Sequence, residues 1–359
     1  MPNAPAAAAT RRITRYWPIQ RRRPSRRPCP RAVAVAPPSW DERTRRPIMS
    51  DTTLPASRLR ESLGYLNWLY NPFHGLDAAG IYDLLATSSP TERGLYLNLG
   101  YWQAATDLDA ASDALAMLVG ETAALGPEDH VLDCGFGFGD QDILWAQTLK
   151  PGRIIGLNIT ASQVEVARRR VSTLGLDDRI DLQHGSATQM PIAAESVDKV
   201  VAVECAFHFR SRERFLREAW RVLRPGGRLV LADIIPMPAV RGFPARLEQQ
   251  LSWRLVSGKF AIPPENAYTR PTYHAKLAMS GFEQIRVESI REHVYAPLHR
   301  FLAEHPETLA RLHPMARLPA KLALRFEATS VYRGLDYVLA TARKPKRLIG
   351  PDHAPGRRP

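Results

Sequence analysis

The stretch VLDCGFGFGD, residues 131–140, decides how the chain is read. An apolar run ends at Asp133 and Cys134, then Gly135, Gly137 and Gly139 alternate with phenylalanines up to Asp140, the pattern of a strand turning sharply into a helix. Glycines there let the backbone approach a ligand at the carboxyl edge of a sheet, and the same residues also serve a tight turn that binds nothing. The nicotinamide fingerprint wants a glycine where Asp140 stands and an acid where Asn158 stands. Asp140 at a helix N-terminus also repels a pyrophosphate. What remains is a pocket shaped for an adenosine ligand without phosphates.

Working outward, helical and strand patterns alternate as a parallel sheet requires. Upstream, Leu108, Ala111, Leu115, Leu118, Thr122 and Leu125 form one helical stripe closed by Gly126. Downstream come a helix through Ile143–Leu149, strand 153–158, helix 161–174, strands 179–183 and 198–204, helix 212–223 ending at Pro225-Gly226-Gly227, and strand 227–235. Right-handed crossovers between them give a doubly wound, Rossmann-like sheet. Residues 282–290 and 335–342 read as two more strands. The long segments 236–270 and 291–333 are helical in pattern and carry Trp253, Phe260, Tyr268, Tyr295, Phe301 and Phe326, as lids over an apolar ligand do. No internal repeat is visible.

The 359 residues, 45% of them hydrophobic, are ample for a buried core, and no apolar run of spanning length occurs. A soluble protein follows. The net charge of +13 sits in the tails: residues 1–48 hold twelve arginines against Asp41 and Glu42, a net +10, and residues 343–359 carry +5. The span 49–342 is left at −2, which argues against nucleic acid as partner, because phosphate contacts need a basic folded face. Residues 1–48 contain nine of thirty prolines and no apolar periodicity, so they are expected to be disordered, as is the basic tail 344–359. A targeting peptide, a basic arm and translated sequence upstream of a true start at Met49 compete; the third is the reading adopted. Cys29, Cys134 and Cys205 make neither a disulfide framework nor a zinc spacing, which points to the cytoplasm and to no structural metal.

VLDCGFGFGD, GLNIT at 156–160, GSATQMP at 185–191 and LRPGGRLVLAD at 223–233 together resemble the class I S-adenosylmethionine-dependent methyltransferases, in order and spacing, over roughly residues 93–343. GLNITASQ and LNLGYW at 97–102 look most like the branch of macrolide-sugar O-methyltransferases, sterol and tocopherol C-methyltransferases and cyclopropane synthases. The resemblance implies a seven-stranded, mostly parallel sheet whose last strand, 335–342, is antiparallel, with S-adenosyl-L-methionine as cofactor. It implies that Gly135 and Gly137 face the adenosine and methionine portions, that Asp133 meets the methionine ammonium directly or through water, and that Val203 borders the cofactor. Asn158 replaces the acid most relatives use for the ribose, and an amide still donates and accepts there. Thr160 and Gln163 read equally as a capping box and as ribose contacts. Ser186 stands where many relatives place an acid for adenine, while Ala187 offers its backbone. Asn98 and Tyr101 match positions that close over the methionine end, and Trp102 reads as packing.

Methyl transfer from an activated sulfonium needs positioning and, for a hydroxyl acceptor, a base. The end of the fourth strand offers Glu204-Cys-Ala-Phe-His208, with His208 as base at its near-neutral pKa. Glu204 is left with three roles: orienting His208, steadying a cation or binding cofactor. The spacings of His274, His293, His299, His305 and His313 match no metal-ligand pair. The expected reaction is methylation of a small, largely apolar metabolite, such as a natural product, polyketide sugar or lipid-like acceptor, at oxygen. Carbon methylation of an isoprenoid or lipid alkene and a non-catalytic S-adenosylmethionine- or RNA-binding protein are the alternatives, and a homo-oligomer stays open.

Overall fold

The computed structural model describes residues 91–346 except His313, so the readings of residues 1–48, of the start at Met49 and of the chain beyond 346 lie outside the described residues. Helix α1 (Leu108–Ala123) begins where the Asp107 carboxylate accepts from the Ala110 N–H at 2.8 Å and ends on Ala124 in the left-handed region. Its buried face is Leu108, Ala111, Leu115, Ala116, Val119 and Ala123; Leu118 and Thr122, expected in that stripe, flank it because 3.6 residues per turn centres the face on Val119.

From there the chain runs β1 (His130–Cys134), α2 (Asp140–Thr148), β2 (Arg153–Asn158), α3 (Ala161–Thr173), β3 (Ile180–His184), β4 (Val197–Val203), α4 (Arg212–Val222) and β5 (Leu223–Pro236). Then follow α5 (Phe243–Lys259), α6 (Arg270–Met279), β6 (Glu283–Ser289), α7 (Tyr295–Glu304), α8 (Pro306–Ala310), α9 (Pro314–Ala323), α10 (Ala328–Val331) and β7 (Leu335–Arg343). The strands form one sheet in the order β3-β2-β1-β4-β5-β7-β6, parallel except for β7, which pairs antiparallel with β5 and β6. Asp133 lies opposite Gly156 on one side and Val201 on the other, so β1 and β4 flank the point where the strand order reverses. In open α/β sheets that point, at the carboxyl ends of the strands, is the crevice for ligands.

Two boundaries differ from those read in the sequence. Helix α4 passes at Leu223 directly into β5, so the Pro225-Gly226-Gly227 expected to end the helix lies inside the strand, with Gly226 at φ +83° absorbing the bend. Lys344, assigned to a disordered tail, is buried: its N–H donates to the Gly227 carbonyl, and its ammonium donates to the Leu223 carbonyl at 2.8 Å and pairs with Glu195 over the Trp220 ring. A lysine stem that finds a carboxylate, a carbonyl and an aromatic face stays with the fold. Among the described residues no helix is long and apolar enough to cross a membrane.

Candidate active site

A cavity of about 250 Å³ opens at the strand-order reversal. Its walls are the glycine turn after β1, the end of β2, residues 185–188 after β3, residues 203–210 from the end of β4, and residues 95–98 of an irregular flap that spans 91–102. The flap has no ladder of its own, and three carboxylates take its backbone N–H groups instead. Asp109 accepts from Glu92, Arg93 and Gly94, Asp140 from Leu95, and Glu204 from Leu99 at 2.8 Å. From the first long segment, Ala261 and Pro263 reach the cavity rim. From the second, 291–333, no residue among the described ones borders the cavity, which corrects its expected role as a lid. It braces the flap from behind: Phe301 packs on Trp102 at 4.9 Å, and the Trp102 N–H donates to the His293 carbonyl.

The glycine turn divides its work. A Cβ on Gly135, at φ +87°, would sit 2.6 Å from the Cys205 Sγ, so this glycine allows β1 and β4 to pack. A Cβ on Gly137, at φ +58°, would meet nothing nearer than Leu97 Cδ1 at 3.9 Å, so this glycine opens onto the cavity. Asn158 donates from Nδ2 to the Gly137 carbonyl at 3.2 Å and to Gln163 Oε1 at 2.8 Å. That bond takes Gln163 away from the helix start, and no side chain caps α3, so the Thr160–Gln163 capping box does not form. Gln163 borders the cavity with Nε2 buried and unpartnered; Thr160 Oγ1 is likewise unpartnered but lies off the lining. Ser186, Ala187, Asn98 and Val203 line the cavity. The Ser186 hydroxyl is turned towards Thr188, and Asn98 Oδ1 accepts from the Gly100 N–H.

Besides Thr160, two more expected contacts fall outside the lining. Tyr101 points away, with its hydroxyl donating to Gln103 and its ring edge on His293. Asp133 is fully buried behind Gln141, whose amide donates to it at 2.7 Å. Burial raises its carboxyl above the usual carboxylate range and pushes that of Asp142 well above it. After burial, the negative charge of Asp133 is the next cause that raises Asp142. Gln141 is thus the residue that borders the cavity on Asp133's behalf; its place one residue into α2 was the only sequence signal. Arg170 on α3 was also missed. It grips Asp140 through two 2.7 Å bonds and donates to the Phe138 carbonyl, fixing the glycine turn.

At the end of β4, Glu204 adopts φ +54°, a conformation costly for a side chain, and borders the cavity. Its Oε2 accepts from Leu99 N–H and from the Tyr337 hydroxyl, bonds that tie it to the flap and to β7 rather than to His208. Burial pushes its carboxyl up to about 8. His208 closes a single 3-10 turn, Ala206–His208, and borders the cavity with its ring 4.1 Å from that of Phe207. Burial pulls its imidazole down to about 3, against the near-neutral value expected, with the Phe260 backbone as a hydrogen-bond partner. Among the described residues, no three His, Cys, Asp or Glu are grouped to hold a metal ion.

Residues 132–231 match the family model described as a methyltransferase domain. The chain is 37% identical over 275 residues to erythromycin 3''-O-methyltransferase of Saccharopolyspora erythraea, covering 74% of this chain and 89% of that one. It is 33% identical over 269 residues to 27-O-demethylrifamycin SV methyltransferase of Amycolatopsis mediterranei, covering 74% and 95%. In fold alone it is similar to the [4+2]-cyclase SpnF (TM-score 0.56, 22% identity, 80% of this chain and 96% of that one). The same holds for geranyl diphosphate C-methyltransferase of Streptomyces coelicolor A3(2) (TM-score 0.54, 15% identity, 79% and 97%).

With this sheet, this glycine turn and relatives of that identity, the chain belongs to the class I S-adenosylmethionine-dependent methyltransferases, in the branch that acts on small molecules. It is an enzyme, and S-adenosyl-L-methionine is its cofactor. The site fits that group: the space beyond Gly137 is open, the orphaned Gln163 Nε2 offers a donor beside Asn158, and Arg170 at the glycine turn is paired with Asp140.

Proposed function

We propose that the acceptor is a hydroxyl of a polyketide-derived or sugar-bearing natural product, and that His208 takes its proton. When bound, S-adenosylmethionine supplies a methyl group already activated for transfer to a nucleophile. The observation that carries the reading is the His208 ring bordering the cavity beside Phe209, Arg210, Ala261 and Pro263, in a setting whose burial favours its neutral form. A base this weak cannot ionise a free hydroxyl. It suits an acceptor oxygen that turns acidic as it gains the methyl group, so His208 removes the proton as the new bond completes. Being neutral beforehand, it adds no further positive charge beside Arg210 to a cavity that must accept a sulfonium.

Asn158, Gln163, Asn98 and the Ser186–Ala187 backbone are the residues assigned to the cofactor, with Asp133 acting through Gln141. Glu204 holds the flap in place by its bond to Leu99. The relatives' names support oxygen over carbon as the methylated atom. The buried free thiols of Cys134 and Cys205 suit a reducing cytoplasm. The test is a panel of hydroxylated macrolides, one with a free 3''-hydroxyl, incubated with methyl-labelled cofactor. Label on a hydroxyl oxygen, located by mass spectrometry, is expected; label on carbon overturns the reading.

A further inference from the structure

The turn that presents His208 is held by a residue from the first long segment. Asn266, in the 3-10 turn Pro264–Asn266, is almost fully buried, and its amide spans the turn from outside. Its Nδ2 donates to the Phe207 carbonyl at 3.1 Å and to the Phe209 carbonyl at 2.7 Å, the two carbonyls on either side of His208. Its Oδ1 accepts from the Arg212 N–H at 2.9 Å, and the Arg212 guanidinium returns to the Asn266 carbonyl at 2.9 Å. Below lies an ion pair with no exposed surface, Arg212–Asp233, and the Asp233 carboxylate also accepts from Tyr273 and from the Phe207 backbone. The same stretch of chain brings Phe260, whose backbone hydrogen-bonds to His208.

An asparagine is the one side chain of this size that offers two donors and an acceptor from a single plane, which this place requires. A three-residue turn has little stiffness of its own, since 3-10 hydrogen bonds are poorly aligned. Here the Phe207 and Phe209 carbonyls are fixed by a residue nearly sixty positions later. We propose that Asn266 is a positioning residue for His208, so that the order of segment 260–268 and the aim of the base are one property. This rests on the assignment of His208 as base and extends it: the stretch that forms the rim at Ala261 and Pro263 also sets where the proton acceptor stands.

The test uses Asn266→Ala and Asn266→Asp, alone and combined with His208→Ala, in the full chain. The aspartate keeps an acceptor for the Arg212 N–H, with a favourable charge, and loses both donors, so it isolates the grip on the turn. With a macrolide bearing a free 3''-hydroxyl as probe, each single variant should lower kcat by about 10²-fold, the scale of a small misplacement of a reacting group. Cofactor Kd and acceptor KM should stay unchanged, and neither substitution should cost anything further in the His208→Ala background. Equal losses in both backgrounds overturn the proposal, as does loss of cofactor affinity together with Tm in both variants, which marks a purely structural asparagine. Unchanged turnover in His208→Ala alone is the separate signature of a failed base assignment, and removes the positioning role with it. NMR of 15N-labelled histidines gives a readout free of the acceptor. The His208 ring, silent between pH 5 and 8 in the wild type, should begin to titrate there in Asn266→Asp, and a ring that stays silent in both variants overturns the proposal.

Discussion

The Tyr337 hydroxyl donates to Glu204 Oε2 at 2.8 Å, joining residues 133 positions apart in sequence. Tyr337 stands on the antiparallel strand β7, opposite Ile234 of β5, and Glu204 is the strained residue just after β4. The same oxygen takes the Leu99 N–H, so one carboxyl group joins the flap, the end of β4 and the antiparallel strand β7 at the cavity wall. A buried carboxyl with two donors on one oxygen satisfies them whether or not it is ionised, and burial favours the protonated form.

Stability should therefore fall with rising pH. A carboxyl raised in the folded state to about 8 contributes stability that is complete below its ordinary value and is lost as pH climbs through 8. The apo enzyme's Tm is expected to decline from pH 5 to 9. Glu204→Gln keeps an oxygen for Leu99 and Tyr337 without a charge to bury, so its Tm should decline less steeply and lie above wild type at pH 9. Parallel slopes for the two proteins by scanning calorimetry would show that Glu204 does not titrate as described.

The two glycines should separate binding from folding. Gly137→Ala introduces a methyl into open space at a left-handed position, which costs about 1–2 kcal/mol but leaves the packing intact. It should fold and bind S-adenosylmethionine poorly. Gly135→Ala drives a methyl into Cys205 and should lower Tm far more. Calorimetric titration alongside circular dichroism checks both; full cofactor affinity in Gly137→Ala would remove the cofactor from this wall.

Much of this site was legible because its motifs are local. The turn 135–139 and His208 lie at the carboxyl ends of strands that hydrophobic patterning locates, and topology brings those ends together. Asp133 escaped a correct reading because its contact runs through Gln141, a detail of side-chain reach rather than of spacing. The sequence left Thr160 and Gln163 evenly between a capping box and ribose contacts for a similar reason: Asn158, two residues before Thr160, takes the Gln163 amide oxygen that a capping box would use. Arg170, Tyr337 and Asn266 act across 30 to 133 positions, and no pattern within one sequence marks such partners. The shift of His208 was invisible too, since burial between Phe207 and the 260–263 stretch depends on the closed fold.

Arg170→Ala should loosen the glycine turn. Its planar fork makes two bonds to Asp140 and one to Phe138 in a largely enclosed setting, and its removal leaves Asp140 facing the flap without a counter-charge. A loss of about 2–3 kcal/mol is expected by urea unfolding, with weaker cofactor binding. Arg170→Lys should recover little, because a point charge cannot reproduce the bidentate bond. Full recovery by lysine would mean that charge alone matters there.

His208→Ala tests the chemistry most directly. Its side chain borders the cavity, and the flap and the glycine turn are held by Asp109, Asp140, Glu204 and Arg170, so S-adenosylmethionine affinity should be nearly unchanged. A positioned base contributes about 10²–10⁴-fold, and one pulled down to about 3 belongs at the lower end, since its affinity for the proton is reduced. Turnover on a verified hydroxyl acceptor should fall by about 10²-fold with KM unaffected. The pH profile carries the sign: the imidazole is neutral throughout pH 5–9, so wild-type turnover should show no rising limb near 6.5, and His208→Ala should lower the whole profile without changing its shape there. A limb near 6.5 that vanishes in the variant would place His208 in a far wetter setting than this cavity. Untouched turnover would refute His208 as the base and favour carbon methylation or a proton acceptor on the substrate itself.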